Sequence, residues 1–149
     1  MAAKRVQIVS VKLCREGSIA YGPRFINNPA DVAMLVTPFL ADSDREQIIA
    51  VCVDTKHQPT AIHTVSVGTL NTSMVHCRET FKAAILSNSA AIILAHNHPS
   101  GLPEPSDEDQ TITKHLVEAG RLLGIDVLDH IIVGAGGSYR SFRELGLIA

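Results

Sequence analysis

The chain has 149 residues, of which 46% are hydrophobic and 19% charged, with a net charge of −2 and a pI of about 6.4. That balance fits one domain (residues 1–149) with a sizeable core and excludes a disordered chain. It lacks the basic surplus with which nucleic-acid-binding domains usually meet phosphates, beyond a short Lys4-Arg5 start.

Cys14, Cys52 and Cys77 form no C-x-x-C and read as free, mostly buried thiols of a reducing compartment. No run reaches the roughly 18 apolar residues of a membrane span, and MAAKRVQ lacks the apolar region of a signal peptide. A cytoplasmic protein with no membrane partner is the expectation.

Residues 5–13 (RVQIVSVKL) alternate and predict a strand, and residues 17–23 a turn with a short strand. Asn28-Pro29 opens a helical segment, PADVAMLVTPFLAD, spaced at Val32, Leu35, Val36 and Leu40 and shortened or bent by Pro38. EQIIAVCVD (46–54) predicts a central strand, KHQP a turn, and TAIHTVSVGTL (60–70) the hairpin partner. Residues 78–86 predict a helix packing Phe81, Ala84 and Ile85, and the apolar run 90–95 a strand covered on both faces. The clearest helix is 106–123, with Ile112, Leu116, Ala119 and Leu123 on one side and Gly124 at its end. DVLDHIIVG (126–134) is the next strand, and Gly136-Gly137 turns the chain into SYRSFRELGLI. Strands and helices mix, as in one layered α/β domain.

The chemistry concentrates in HNHPSGLPEPSDED, residues 96–109. Residues i and i+2 of a strand share a side, so His96 and His98 project together if the strand reaches them. Two neutral imidazoles and a carboxylate suit Zn²⁺, and Asp109 is the candidate third ligand. Pro99, Pro103 and Pro105 stiffen the loop between, and Gly101 permits a tight turn. Three protein ligands leave a fourth position for water, the mark of a catalytic zinc site. Ser106 offers a hydroxyl beside Asp109, and Glu46 a base at the start of the central strand.

Blander readings stand beside these. Ser106-Asp107-Glu108-Asp109 also fits a capping box at an acidic helix start, a role compatible with metal binding. His130 fits a metal's surroundings less well than a packed histidine bonded to backbone. His57, His63, His76 and His115 read as structural or surface residues, and Cys52 as a small buried hydrophobe.

HNHPSG, PSDED and DHIIVG resemble the RadC-type branch of the JAB/MPN domains. Their JAMM signature is a distant Glu, then H-x-H, ten residues, and Asp, with Ser three before it. Glu46, His96, His98, Ser106 and Asp109 match it, and the likeness runs from about Pro29 to Ala149. The resemblance implies a mixed β-sheet flanked by helices on both sides, of cytidine-deaminase-like architecture. It implies zinc, one per chain, on His96, His98 and Asp109, with Glu46 as general acid/base and Ser106 stabilising the tetrahedral intermediate. It further implies a metallopeptidase acting on a peptide or protein substrate at a peptide or isopeptide bond, and it allows a homodimer. The longer N-terminal helix-hairpin-helix part of many relatives is not expected here, because strand-like residues begin at Arg5.

Other readings compete with this one. A nucleic-acid-associated repair accessory protein would bind DNA in a salt-dependent way, against the charge. A non-catalytic scaffold would keep the fold without turnover. A zinc deaminase would need H-x-E and P-C-x-x-C, which are absent.

Overall fold

The computed structural model describes residues 1–40, 43–68 and 75–149. In chain order its elements are α1 (Pro29–Leu40), β1 (Gln47–Val53), β2 (Pro59–Val67), α2 (Cys77–Leu86), β3 (Ala91–Asn97), α3 (Asp107–Leu123), β4 (Asp126–Val133) and β5 (Tyr139–Ser141). The strands form one sheet in the order β2-β1-β3-β4-β5. Only β3 and β4 run parallel, joined by α3, so the sheet is mixed and the fold α/β.

The two faces of β1 and β3 feed two cores. Ile48, Ala50, Cys52, Ile92 and Leu94 meet Phe81 and Ala84 of α2 and Ile112 and Leu116 of α3. Ile49, Val51, Val53, Ile93 and Ala95 meet Val32, Leu35, Val36 and Leu40 of α1. Helices therefore cover both faces, and β3, between β1 and β4, is buried along its whole length. That explains its apolar run.

β4 carries an irregularity next to its start. Ile92 pairs with Val127 but Ile93 pairs with Asp129, so Leu128 is an extra residue. A bulge of this kind inverts the alternation beyond it. Val127 and Ile132 consequently share the α2/α3 face despite their odd spacing.

Several expectations need correction. Residues 1–20 are exposed and carry no regular structure, with Val6 82% and Ile8 100% exposed. The alternation breaks at Ile8-Val9, so Val6 and Ile8 fall on one side and Val9, Val11 and Leu13 on the other. Neither side could be apolar throughout. Residues 17–23 make no strand either; the chain bends at 22–25 before the Ile26 N–H donates to the His57 carbonyl at 2.9 Å. Pro38 falls in the last turn of α1 and does not stop it before Leu40. Residues 41–42 of that predicted helix and 69–70 of the predicted hairpin lie outside the described residues.

Ile85 and Leu123 are about half exposed, because the buried stripes of α2 and α3 run through Thr80-Ala84 and Ile112-Leu116-Gly120 instead. Cys52 is buried as expected, but Cys14 and Cys77 are exposed. No helix among the described residues is long and apolar enough to cross a membrane.

Gly120 lies where α3 meets the chain's return into β4. A Cβ there would stand 2.4 Å from the Ile125 carbonyl oxygen and 3.3 Å from the Phe81 ring. Ala normally stabilises a helix interior over Gly by about 1 kcal/mol. We expect Gly120→Ala to reverse that sign and destabilise by about 1–3 kcal/mol, read as a lower urea midpoint at unchanged slope.

Candidate metal centre

β3 runs through His96, and the His98 N–H extends its ladder by donating to the Val133 carbonyl at 3.1 Å. Ile92 and Leu94 face α2 and α3, so His96 and His98 project on that same side. Asp109 comes from the first turn of α3 above them. The ligand atoms of the three residues lie within 4.8 Å of one another.

The loop between them is pinned at both ends. Gly101, at φ +86°, accepts at its carbonyl from the Ala135 N–H at 3.0 Å. Gly134 is the matching contact: a Cβ there would lie 2.5 Å from the Gly101 oxygen. At the helix start, Ser106 Oγ accepts from the Asp109 N–H (3.0 Å) and Asp109 Oδ2 accepts from the Ser106 N–H (2.9 Å). The capping box is present, and it leaves the same carboxylate facing both imidazoles.

The polar atoms at the centre are short of protons. His98 Nδ1 lies 2.8 Å from the Leu102 carbonyl oxygen, which can only accept, so the ring carries its proton there. Its Nε2 lone pair then points at Asp109 Oδ2, 3.0 Å away. His96 Nε2 stands 3.0 Å from His98 Nε2 and 3.3 Å from Asp109 Oδ1. Acceptors facing one another in a buried place need a cation between them. A proton can serve: hydrogen bonding to Asp109 raises the His98 pKa above its ordinary value. Burial pushes the Asp109 carboxyl up, yet the His96 and His98 imidazoles against it hold it well below the usual carboxylate range. Two imidazoles and an ionised carboxylate are equally the donor set of a divalent metal, and His96, His98 and Asp109 could hold one.

Glu46 lies just before β1. Ile48 pairs with His96, so the same register carried two residues further sets Glu46 across from His98, on the same face. Its charge helps raise the His98 pKa. Glu46 is partly buried and lines a cleft of about 530 Å³ with Asp44, Arg45, Gly68 and Pro99.

One residue here has no counterpart in the sequence analysis, and a second departs from the reading favoured there. Asn97, between the histidines, faces the other way and is buried. Its Oδ1 accepts from the Gln47 N–H at 2.8 Å and its Nδ2 donates to the Arg45 carbonyl at 2.9 Å. It thus grips the backbone on both sides of Glu46. A polar residue inside a fully buried strand was the available signal, since its amide had to find partners.

His130 is the second. It is bonded to side chains and not, as expected, to backbone: Nε2 lies 2.7 Å from His96 Nδ1 and Nδ1 lies 2.6 Å from Thr113 Oγ1. It stacks on Phe142 with ring centroids 4.6 Å apart. Burial drives its pKa well down, so the ring is neutral. The bulge at Leu128 turns it onto the site face, and no sequence pattern announced that. His57 does sit in a turn, with φ +61°.

Gly134→Ala alters no ligand but pushes the 99–105 loop off its seat. We expect divalent-metal affinity to fall about tenfold or more, measured by calorimetry with Co²⁺.

Comparison with known proteins bears on the same residues. A family model for the RadC-like JAB domain matches residues 26–147. A UPF0758 protein of Methanosarcina barkeri is 46% identical over 98% of this chain and 65% of its own length. UPF0758 proteins of Roseiflexus castenholzii and Desulforamulus reducens are 52% and 53% identical over 82% and 83% of the chain, and 52% and 54% of theirs. The chain thus spans between half and two thirds of the length of these curated relatives. With the match covering α1 to β5 and every residue of the candidate site, the chain belongs to the RadC-like JAB domain family.

Proposed function

We propose that the protein is a zinc-dependent hydrolase of the JAMM type, cleaving a peptide or isopeptide bond. The observation that carries this reading is the convergence of His96, His98 and Asp109 on one buried point beside Glu46 and an open cleft. His96, His98 and Asp109 would hold the metal. When bound, zinc supplies Lewis acidity and makes a water acidic near pH 7.

The chain's own residues supply the rest. Glu46 stands across from His98 at the cleft wall, where its carboxylate can take a proton from water and pass it to the leaving amine. Asn97 holds the backbone that aims it. Ser106 is exposed, and its oxygen already accepts the Asp109 N–H. Its hydroxyl proton is left to donate to a developing oxyanion.

The test pairs metal content with turnover on a panel of peptide and isopeptide amides. We expect Glu46→Gln to keep about one zinc per chain and to lose hydrolysis by about 10²–10⁴-fold. Wild-type protein that binds zinc and cleaves no amide in the panel would count against the reading. Asn97→Ala should keep zinc and lower kcat, and should add little to Glu46→Gln, because both act through one group. Zinc loss in Asn97→Ala would contradict that role.

A further inference from the structure

The hydrogen bonds behind His96 take one direction once the Thr113 hydroxyl is set. Thr113 Oγ1 lies 2.8 Å from the Asp109 main-chain carbonyl, which can only accept, so the hydroxyl donates there. With its proton spent, the hydroxyl oxygen accepts from His130 Nδ1–H at 2.6 Å. A neutral imidazole protonated at Nδ1 is bare at Nε2, so His130 Nε2 accepts from His96 Nδ1–H at 2.7 Å. His96 Nε2 is then left with its lone pair directed at His98 and Asp109.

We propose that Thr113 and His130 are positioning residues that lock His96 in the Nδ1–H tautomer, so that the site is set for a divalent cation before any arrives. The relay starts on one ligand and ends on the backbone of another. His96 gives its proton to His130, His130 to Thr113, and Thr113 to the carbonyl of Asp109, whose carboxylate closes the ring. The whole path is buried, so water cannot substitute for a missing partner. The opposite direction would leave the Asp109 carbonyl without the threonine proton and put a hydrogen on His96 Nε2, facing the ligands. Hydrogen bonds of this kind to the far nitrogen fix ring orientation and raise ligand basicity.

This inference rests on the metal-binding reading above, but its main readout is taken without metal. Long-range ¹H–¹⁵N correlation of the imidazoles in metal-free wild-type protein should show His96 and His130 both in the Nδ1–H form. Thr113→Val, nearly isosteric, removes the acceptor and the direction with it. His96 should become a mixture of tautomers, and Co²⁺ affinity should fall about 10–100-fold. Thr113→Ser should restore both. His96 protonated at Nε2 in the wild type would overturn the proposal, as would Thr113→Val with unchanged tautomer and unchanged Co²⁺ affinity. Locked tautomers in a protein with no amide hydrolase activity would defeat the proposed function and leave the relay standing.

Discussion

A carboxylate held between two imidazoles is the interaction on which the rest depends. His98 turns an unprotonated nitrogen toward Asp109 at 3.0 Å, and His96 meets the other oxygen at 3.3 Å. Such a cluster is unfavourable in a protein interior unless a cation completes it and each group's remaining bonds are satisfied. Here they are. Leu102 takes the outer proton of His98, the Ser106 N–H reaches Asp109, and His130 backs His96. The loop, the helix cap and the buried pair on β4 and α3 all serve that one point.

Alternation along β3 distributes the work. The odd residues would be core in an ordinary strand, yet Asn97 reaches across to the start of β1. The even residues His96 and His98 continue the row of Ile92 and Leu94 out of the core and into the site. One tripeptide therefore presents two candidate ligands on one face and holds the backbone around Glu46 from the other. β4 adds His130 only because Leu128 bulges and shifts the alternation. Asp129, beside it, is buried and accepts from Ser141 Oγ at 2.6 Å and the Arg143 N–H at 3.0 Å, which ties the last segment to β4.

Much of this was readable in the chain itself. The apolar run 90–95, the H-x-H beyond it and the S-x-x-D opening a helix are local patterns. Local patterns survive into structure when a buried strand and a capped helix enforce them. What could not be read depends on pairing. RVQIVSVKL has the composition of a strand but no partner among the described residues. Ile85 and Leu123 lie at helical spacing yet miss the buried stripes, because where a helix rotates is decided by what it packs against. The place of His130 is not readable because a bulge is a property of two strands together. Asn97 shows by its burial that it needs partners, but these lie some fifty residues earlier and no local pattern names them.

The most direct test of the account is the zinc absorption-edge spectrum of the zinc-loaded protein. Two imidazole nitrogens and carboxylate or water oxygen at about 2.0–2.1 Å, with no sulfur, is the predicted first shell. A sulfur neighbour at about 2.3 Å would place the metal on Cys14 or Cys77, both exposed, and contradict the site built at the end of β3.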